Sequence, residues 1–447
     1  MKDSASDQQH FAKAVAQLGE THDVISSQAI FNAHGVKIVD KGVAINLRLY
    51  ERLMEHKLSV PLEDSVTSDS CVSGETLRQS ADVIMRDTPF FGRMANDEKA
   101  RKLLLNVIET VPLPDAVALQ LTVAHDLRPE IYLHLVRTAL IAAWLAKTAA
   151  VLRFDLGMAA AGGLLHDIGM LHVDPLLLQP ERRLNRDQRR QLYSHPLLST
   201  ALVERHHQYA REVVRAVGEH HECLDGSGYP RNLTGDAIST LGRILSLSQA
   251  VASMFAPGRS APELRLSVLL RMTIGRYDSA LARQVMALLR PELDVMSAEI
   301  TLLRDPIAAL RDIDALLCQW PLAMPDALNL APARRQALDL VAGRSAQMRR
   351  VLAGVGAVPE QLDQLGSAAL DDNLQTELTL MTQEAIWQLR TLAREARRRW
   401  RAQAGEEFPP VFAAWLDRVD DLVAEVSGQQ PEEARDSTAG LEAAPDE

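Results

Sequence analysis

The sequence predicts a mainly α-helical protein with a small α+β module at its N-terminus and a helical bundle at its C-terminus. Three observations lead there. Hydrophobic residues make up 47% of the 447-residue chain but aromatics only 4%, a balance that favours helices packed through Leu and Ala. Long segments repeat apolar residues at the helical period, among them LQTELTLMTQEAIWQLRTLAREARRRWRAQ. Strand-like runs are concentrated in residues 29–45, AIFNAHGVKIVDKGVAI, where Gly35 and Gly42 break them into short pieces joined by turns.

Taken in order, residues 1–20 read as a frayed polar lead, and LRLYERLMEHKL after the strands reads as a helix. Residues 65–74 are Ser-rich and read as a linker, so 1–74 forms an accessory module. A helical connector follows over 75–124, broken at Thr88-Pro89 and again by the V-P-L-P stretch at 111–114. A central domain is expected over 125–292. Pro129 suits the first turn of its leading helix, where a missing N–H costs nothing. A second helix runs into GGLLHDIGM, and LNRDQRRQLYSHP opens with a capping pair, Asn185 and Gln188. REVVRAVGEHH and TLGRILSLSQAVASMF are further helices, and residues 293–427 continue as a helical C-terminal region. Residues 428–447 carry six acids against one arginine and read as a disordered tail.

The net charge of −11 argues against nucleic acid or a membrane surface as partner. The basic run REARRRWR reads as a solvated helix face paired with glutamates. Three scattered cysteines, Cys71, Cys223 and Cys318, suggest a reducing compartment. The N-terminal MKDSASDQQH has no apolar core of the kind a signal peptide needs, and the apolar stretch 135–152 is interrupted by Arg137 and Lys147. A cytoplasmic protein is expected.

Chemistry concentrates around HHECLDGSGYP, residues 220–230. Two adjacent histidines need buried partners or a metal, because an imidazole tip is costly to bury unpaired. His166-Asp167 lies upstream, His195 falls between, and Glu130 and His134 stand four apart on one helix face. Isolated histidines such as His10, His22 and His172 read as surface or satisfied residues. A phosphodiester is anionic and has a poor leaving group; two metals a few ångströms apart address both difficulties. Imidazole and carboxylate donors suit such ions.

These residues resemble the HD-GYP subgroup of the HD metallohydrolase superfamily: His166-Asp167, then His195-Pro196, then HHE and DGSGYP, over roughly residues 125–290. The resemblance implies an all-helical HD-type domain that hydrolyses cyclic di-GMP to pGpG or GMP at two divalent transition metals, iron or manganese, or three where an extra carboxylate joins. It gives His166 and Asp167 as the catalytic HD pair, with Asp167 bridging. Ligand positions fall on Glu130, His134, His166, Asp167, His195, His220, His221 and Gln249. Gly228, Tyr229, Pro230, Arg243 and Arg259 fall on substrate contacts, with the Gly-Tyr-Pro loop also open to a protein partner and the C-terminal helices to a homodimer. The chain departs from the family where Met170 replaces a lysine and Gln249 an aspartate, and where Arg259 in GRSAP stands for a basic pair. A degenerate, non-hydrolytic cyclic di-GMP receptor or protein-interaction module is the rival expectation.

Overall fold

The computed structural model describes residues 4–148, 156–179, 184–291, 300–319, 332–363, 371–401 and 408–428. The chain divides into two compact units that do not follow chain order. The first holds Met1–Leu178, Arg190–Gly258 and Arg276–Leu288, and the second Gln179–Arg189, Arg259–Gly275 and Leu289–Glu447. The expected acidic tail lies outside the described residues beyond Gly428.

The first unit opens with α1 (Ser4–Leu18), where the sequence suggested a frayed lead. Phe11, Val15 and Leu18 recur at helical spacing and are fully buried, which orders the segment despite its polar composition. Strands β1 (Val24–Ser26), β2 (Ile30–Phe31) and β3 (Lys37–Val39) follow, then α2 (Leu47–Met54), capped by the Asn46 side chain. Part of the expected Ser-rich linker is strand β4 (Val66–Ser68). It pairs antiparallel with β1 in the register Val24↔Ser68, so the correction comes from long-range pairing invisible to local composition. The other two-stranded sheet is β2 with β3.

Helices then take over: α3 (Gly74–Asp87), α4 (Pro89–Arg93), α5 (Glu98–Glu109), α6 (Asp115–Leu127), α7 (Pro129–Thr148) and α8 (Leu156–Leu165). Breaks fall at Thr88-Pro89 and before Asp115, where proline denies the helix a donor. After a 3-10 turn over Ile168–His172 come α9 (Arg186–Tyr193), α10 (His195–Glu204), α11 (Arg211–Val217) and α12 (Thr240–Met254). Asn185 and Gln188 cap each other's backbone N–H at 3.0 and 2.9 Å ahead of α9. α13 (Pro262–Met272) belongs to the second unit and α14 (Ser279–Leu288) to the first.

At the heart of the first unit α7 packs on α8 and α12, while α10 lies on the 3-10 turn and α11 on both α8 and α12. The backbones of α7 and α8 meet at Gly163, where a Cβ would come within 2.6 Å of Ala139 Cα. Only glycine permits that approach, and it brings the end of α8 against α7. The accessory segment joins the same unit: α1 packs on α6 and on the 3-10 turn, with Phe11 stacked on His172 at 4.5 Å.

The second unit continues with α15 (Pro306–Gln319), α16 (Pro332–Gly354), α17 (Pro359–Leu362), α18 (Asp372–Arg401) and α19 (Pro410–Gly428). Its core gathers Leu310, Ile313, Val341, Leu352, Leu389, Trp415 and Val419. The basic run on α18 finds acids: Arg397 pairs with Asp420 at 2.6 Å, and Arg398 and Arg399 with Glu395. Among the described residues no helix is long and apolar enough to cross a membrane.

Candidate metal centre

Five histidines from four places in the first unit converge on one carboxylate. α7 carries His134. α8 ends at Leu165, so His166 and Asp167 leave it in the turn before the 3-10 segment. His195 opens α10, and the Gly169 N–H donates to Ser199 Oγ at 2.9 Å, which ties that helix to the turn. α11 ends at Val217, earlier than the sequence suggested, so His220 and His221 stand in the following turn.

Each Asp167 oxygen has its own imidazoles. Oδ2 lies 3.3 Å from His166 Nε2 and 3.7 Å from His134 Nε2. Oδ1 lies 3.1 Å from His195 Nε2 and 3.2 Å from His220 Nε2. His221 Nε2 is 3.1 Å from His195 Nε2, completing a group of Asp167, His195, His220 and His221 beside one of His134, His166 and Asp167.

Protonation explains what these contacts require. His166, His195 and His220 each place Nδ1 2.6–2.8 Å from a backbone carbonyl three residues back, on Gly163, Leu192 and Val217. A carbonyl only accepts, so Nδ1 carries the proton and Nε2 presents a lone pair. Burial keeps three of the rings neutral, pushing His134 down to about 3 and His220 to about 4, and His221 well below its ordinary value. Burial pushes the Asp167 carboxyl up; positive charge at His166 and His195 would hold it well below the usual carboxylate range, a part that cations between these groups would take where Nε2 presents a lone pair. Buried Asp167 Oδ1 has no hydrogen-bond donor. Lone pairs facing lone pairs and a carboxylate repel one another; cations at the two groups would turn each repulsion into a bond. The residues fit metal ions.

The Gly-Tyr-Pro loop buttresses the second group. Tyr229 stacks on His221 at 4.5 Å and 17°, and Tyr193 meets Tyr229 edge-on at 4.8 Å. Gly228 allows the loop in: a Cβ there would lie 2.4 Å from Cys223 N, Glu222 Cα and His221 O. Pro230 follows through a cis Tyr229–Pro230 bond. Glu222 accepts from Arg231 N at 2.7 Å and Leu233 N at 2.8 Å, and Glu219 from Ser239 N at 2.8 Å, so two buried acids fasten the loop. Sequence reasoning missed this role, although Glu222 stands within the HHE triplet.

The remaining site residues divide. Gln249 Nε2 lies 3.5 Å from His221 Nδ1, on the ring nitrogen opposite the shared carboxylate's group. Glu130 stands exposed at the start of α7, outside both groups of ligand atoms. Arg243 donates to the carbonyls of Ile238 and Gly235 and pairs with Asp236 at 2.8 Å, binding its own loop. Arg259 belongs to the second unit.

Comparison with known proteins follows the same residues. The HD domain family matches residues 89–281. A 3'3'-cGAMP-specific phosphodiesterase 3 of Vibrio cholerae is 25% identical over 309 residues, covering 65% of this chain and 65% of the relative. The phosphodiesterase 1 of the same specificity and organism is 36% identical over 124 residues, 27% of each chain. A cyclic di-GMP phosphodiesterase of Pseudomonas aeruginosa is 37% identical over 87 residues, 19% of this chain and 21% of the relative. The chain thus spans 65% or less of the length of each of these relatives. The HD domain match at residues 89–281 thus contains the place where His166-Asp167 and the Gly228-Tyr229-Pro230 loop meet, and these relatives are similar to the chain.

Proposed function

We propose that this protein is a metal-dependent phosphodiesterase of cyclic dinucleotides, with cyclic di-GMP as substrate and pGpG or GMP as product. One observation carries the reading: Asp167 turns its two oxygens to two separate groups of imidazoles. Divalent transition metals, iron or manganese by donor type, would there act as Lewis acids on the phosphodiester and lower the pKa of a water. The chain's own residues hold that arrangement ready. Backbone carbonyls fix the His166, His195 and His220 rings, while Tyr229 covers one face of His221. Relatives named for cyclic di-GMP and for 3'3'-cGAMP support a cyclic dinucleotide, and a guanosine half is common to both.

A second reading rests on Gln249. A neutral amide beside His221 leaves the second group without an added anionic oxygen, which favours a receptor that binds the dinucleotide without cleaving it. One sample decides between them. Protein purified without chelator and reconstituted with iron and manganese under reducing conditions is assayed for metal content, then for binding and turnover of both dinucleotides. We expect at least one metal per chain and cleavage of cyclic di-GMP. Turnover of 3'3'-cGAMP alone reassigns the substrate, and binding without cleavage establishes the receptor. Protein that takes up no metal sinks both readings.

A further inference from the structure

Along α7 the structure buries residues 131, 132, 135, 136 and 138–146; apart from the terminal Pro129 and Lys147 it leaves accessible Glu130, Leu133, His134 and Arg137. These four share one stripe at i, i+3, i+4 and i+7, so Arg137 stands one turn beyond His134 on the same open face. Among the described residues its buried Nε has no acceptor. Burial lowers its pKa and no acid offsets the effect, whereas Arg243 is committed to Asp236. Arg137 is close enough to His134 for its charge to oppose that ring's protonation. A half-buried guanidinium with no carboxylate partner among the described residues is costly to keep, and it is the side chain best shaped to take phosphate oxygens in pairs.

We propose that Arg137 is a phosphate-binding residue, its guanidinium taking non-bridging oxygens of a cyclic dinucleotide on the His134 side of the metal centre. The identity of the ligand rests on the function proposed above; the anion contact itself does not. Arg137 would orient the substrate's phosphate against the open face of the first imidazole group and add a cation where charge builds up on phosphorus oxygens.

The test compares wild type with Arg137→Gln and Arg137→Lys, each checked for folding by circular dichroism and for metal content. Cyclic di-GMP, 3'3'-cGAMP and inorganic phosphate are titrated separately, into metal-free and metal-loaded protein. A charge-assisted hydrogen bond predicts a loss of roughly ten- to a hundredfold in affinity for Arg137→Gln, partial recovery for Arg137→Lys, and unchanged metal content. Loss of phosphate affinity in a protein that binds neither dinucleotide would keep the anion site and remove the substrate assignment. Folded, metal-replete Arg137→Gln that binds all three probes as wild type does overturns the proposal, as does a wild type that binds none of them. A merely structural arginine would instead alter the melting temperature and leave every affinity in place.

Discussion

The two halves of the centre are built differently although one carboxylate serves both. The Asp167–His195–His220–His221 side offers three imidazoles and an oxygen, enough to close a four-coordinate cage. It is also braced, by carbonyls behind His195 and His220 and by the Tyr229 ring on His221. The His134–His166–Asp167 side offers two imidazoles and an oxygen, and His134 lies on the one accessible stripe of its helix. A closed, braced group retains its ion, whereas an open one leaves coordination positions for water or substrate. The contrast teaches that affinity and reactivity can be divided between neighbouring ions that share one ligand.

Breaking the shared element comes first. Asp167→Ala removes an oxygen from both groups, and we expect metal content to fall below one per chain with cyclic dinucleotide turnover down by roughly a thousandfold or more. Elemental analysis beside a product assay checks this; full retention of one ion would show that the groups do not share Asp167. His134→Ala should separate the sides, lowering metal content by one equivalent while the His195 side keeps its ion.

Sharpening the difference uses Met170 and Gln249, the two positions where the sequence resemblance expects a lysine and an aspartate. Gln249→Asp adds an anionic oxygen near His221 and Met170→Lys a cation, and together we expect them to raise hydrolysis by roughly ten- to a thousandfold. An unchanged rate in the metal-loaded double variant would exclude either position from the transition state. Tyr229→Leu should be milder and one-sided, weakening metal affinity by about ten- to a hundredfold at the second group alone. Competition against a chelator of known strength would reveal an effect on the wrong side.

A control outside the cluster leaves the metal groups untouched. His172 is buried against Phe11, its Nε2 lacks a partner, and burial, with the Arg205 charge adding, lowers it to about 4. An unfolded histidine titrates near 6.5, so between those values the unfolded chain binds more protons and stability falls as pH falls. His172→Phe should therefore flatten the acid dependence of metal-free protein between about pH 6.5 and 4, by up to on the order of 3 kcal/mol. Thermal melts at several pH values measure it, and parallel curves for both proteins would show that His172 carries none of the acid sensitivity.

Much was legible from local pattern. Helices from α3 to α8 followed apolar periodicity and proline breaks, and Asn185–Gln188 capped as its spacing implied. The histidines and Asp167 stood out because polar tips on apolar helices need partners, and they do meet at one place. Residue type and spacing along the chain determine such things. What only the tertiary structure decided depends on contacts distant in sequence. α1 is ordered by burial of Phe11 against His172, and β4 exists because β1 lies beside it. Gln249 faces the far nitrogen of His221, Arg243 is occupied by its own loop, and Glu130 stands outside the ligand groups. Motif position names the helix a side chain stands on; the packing of α7, α8 and α12 fixes which atoms it meets, because a shift of a few ångströms turns a ligand into a neighbour.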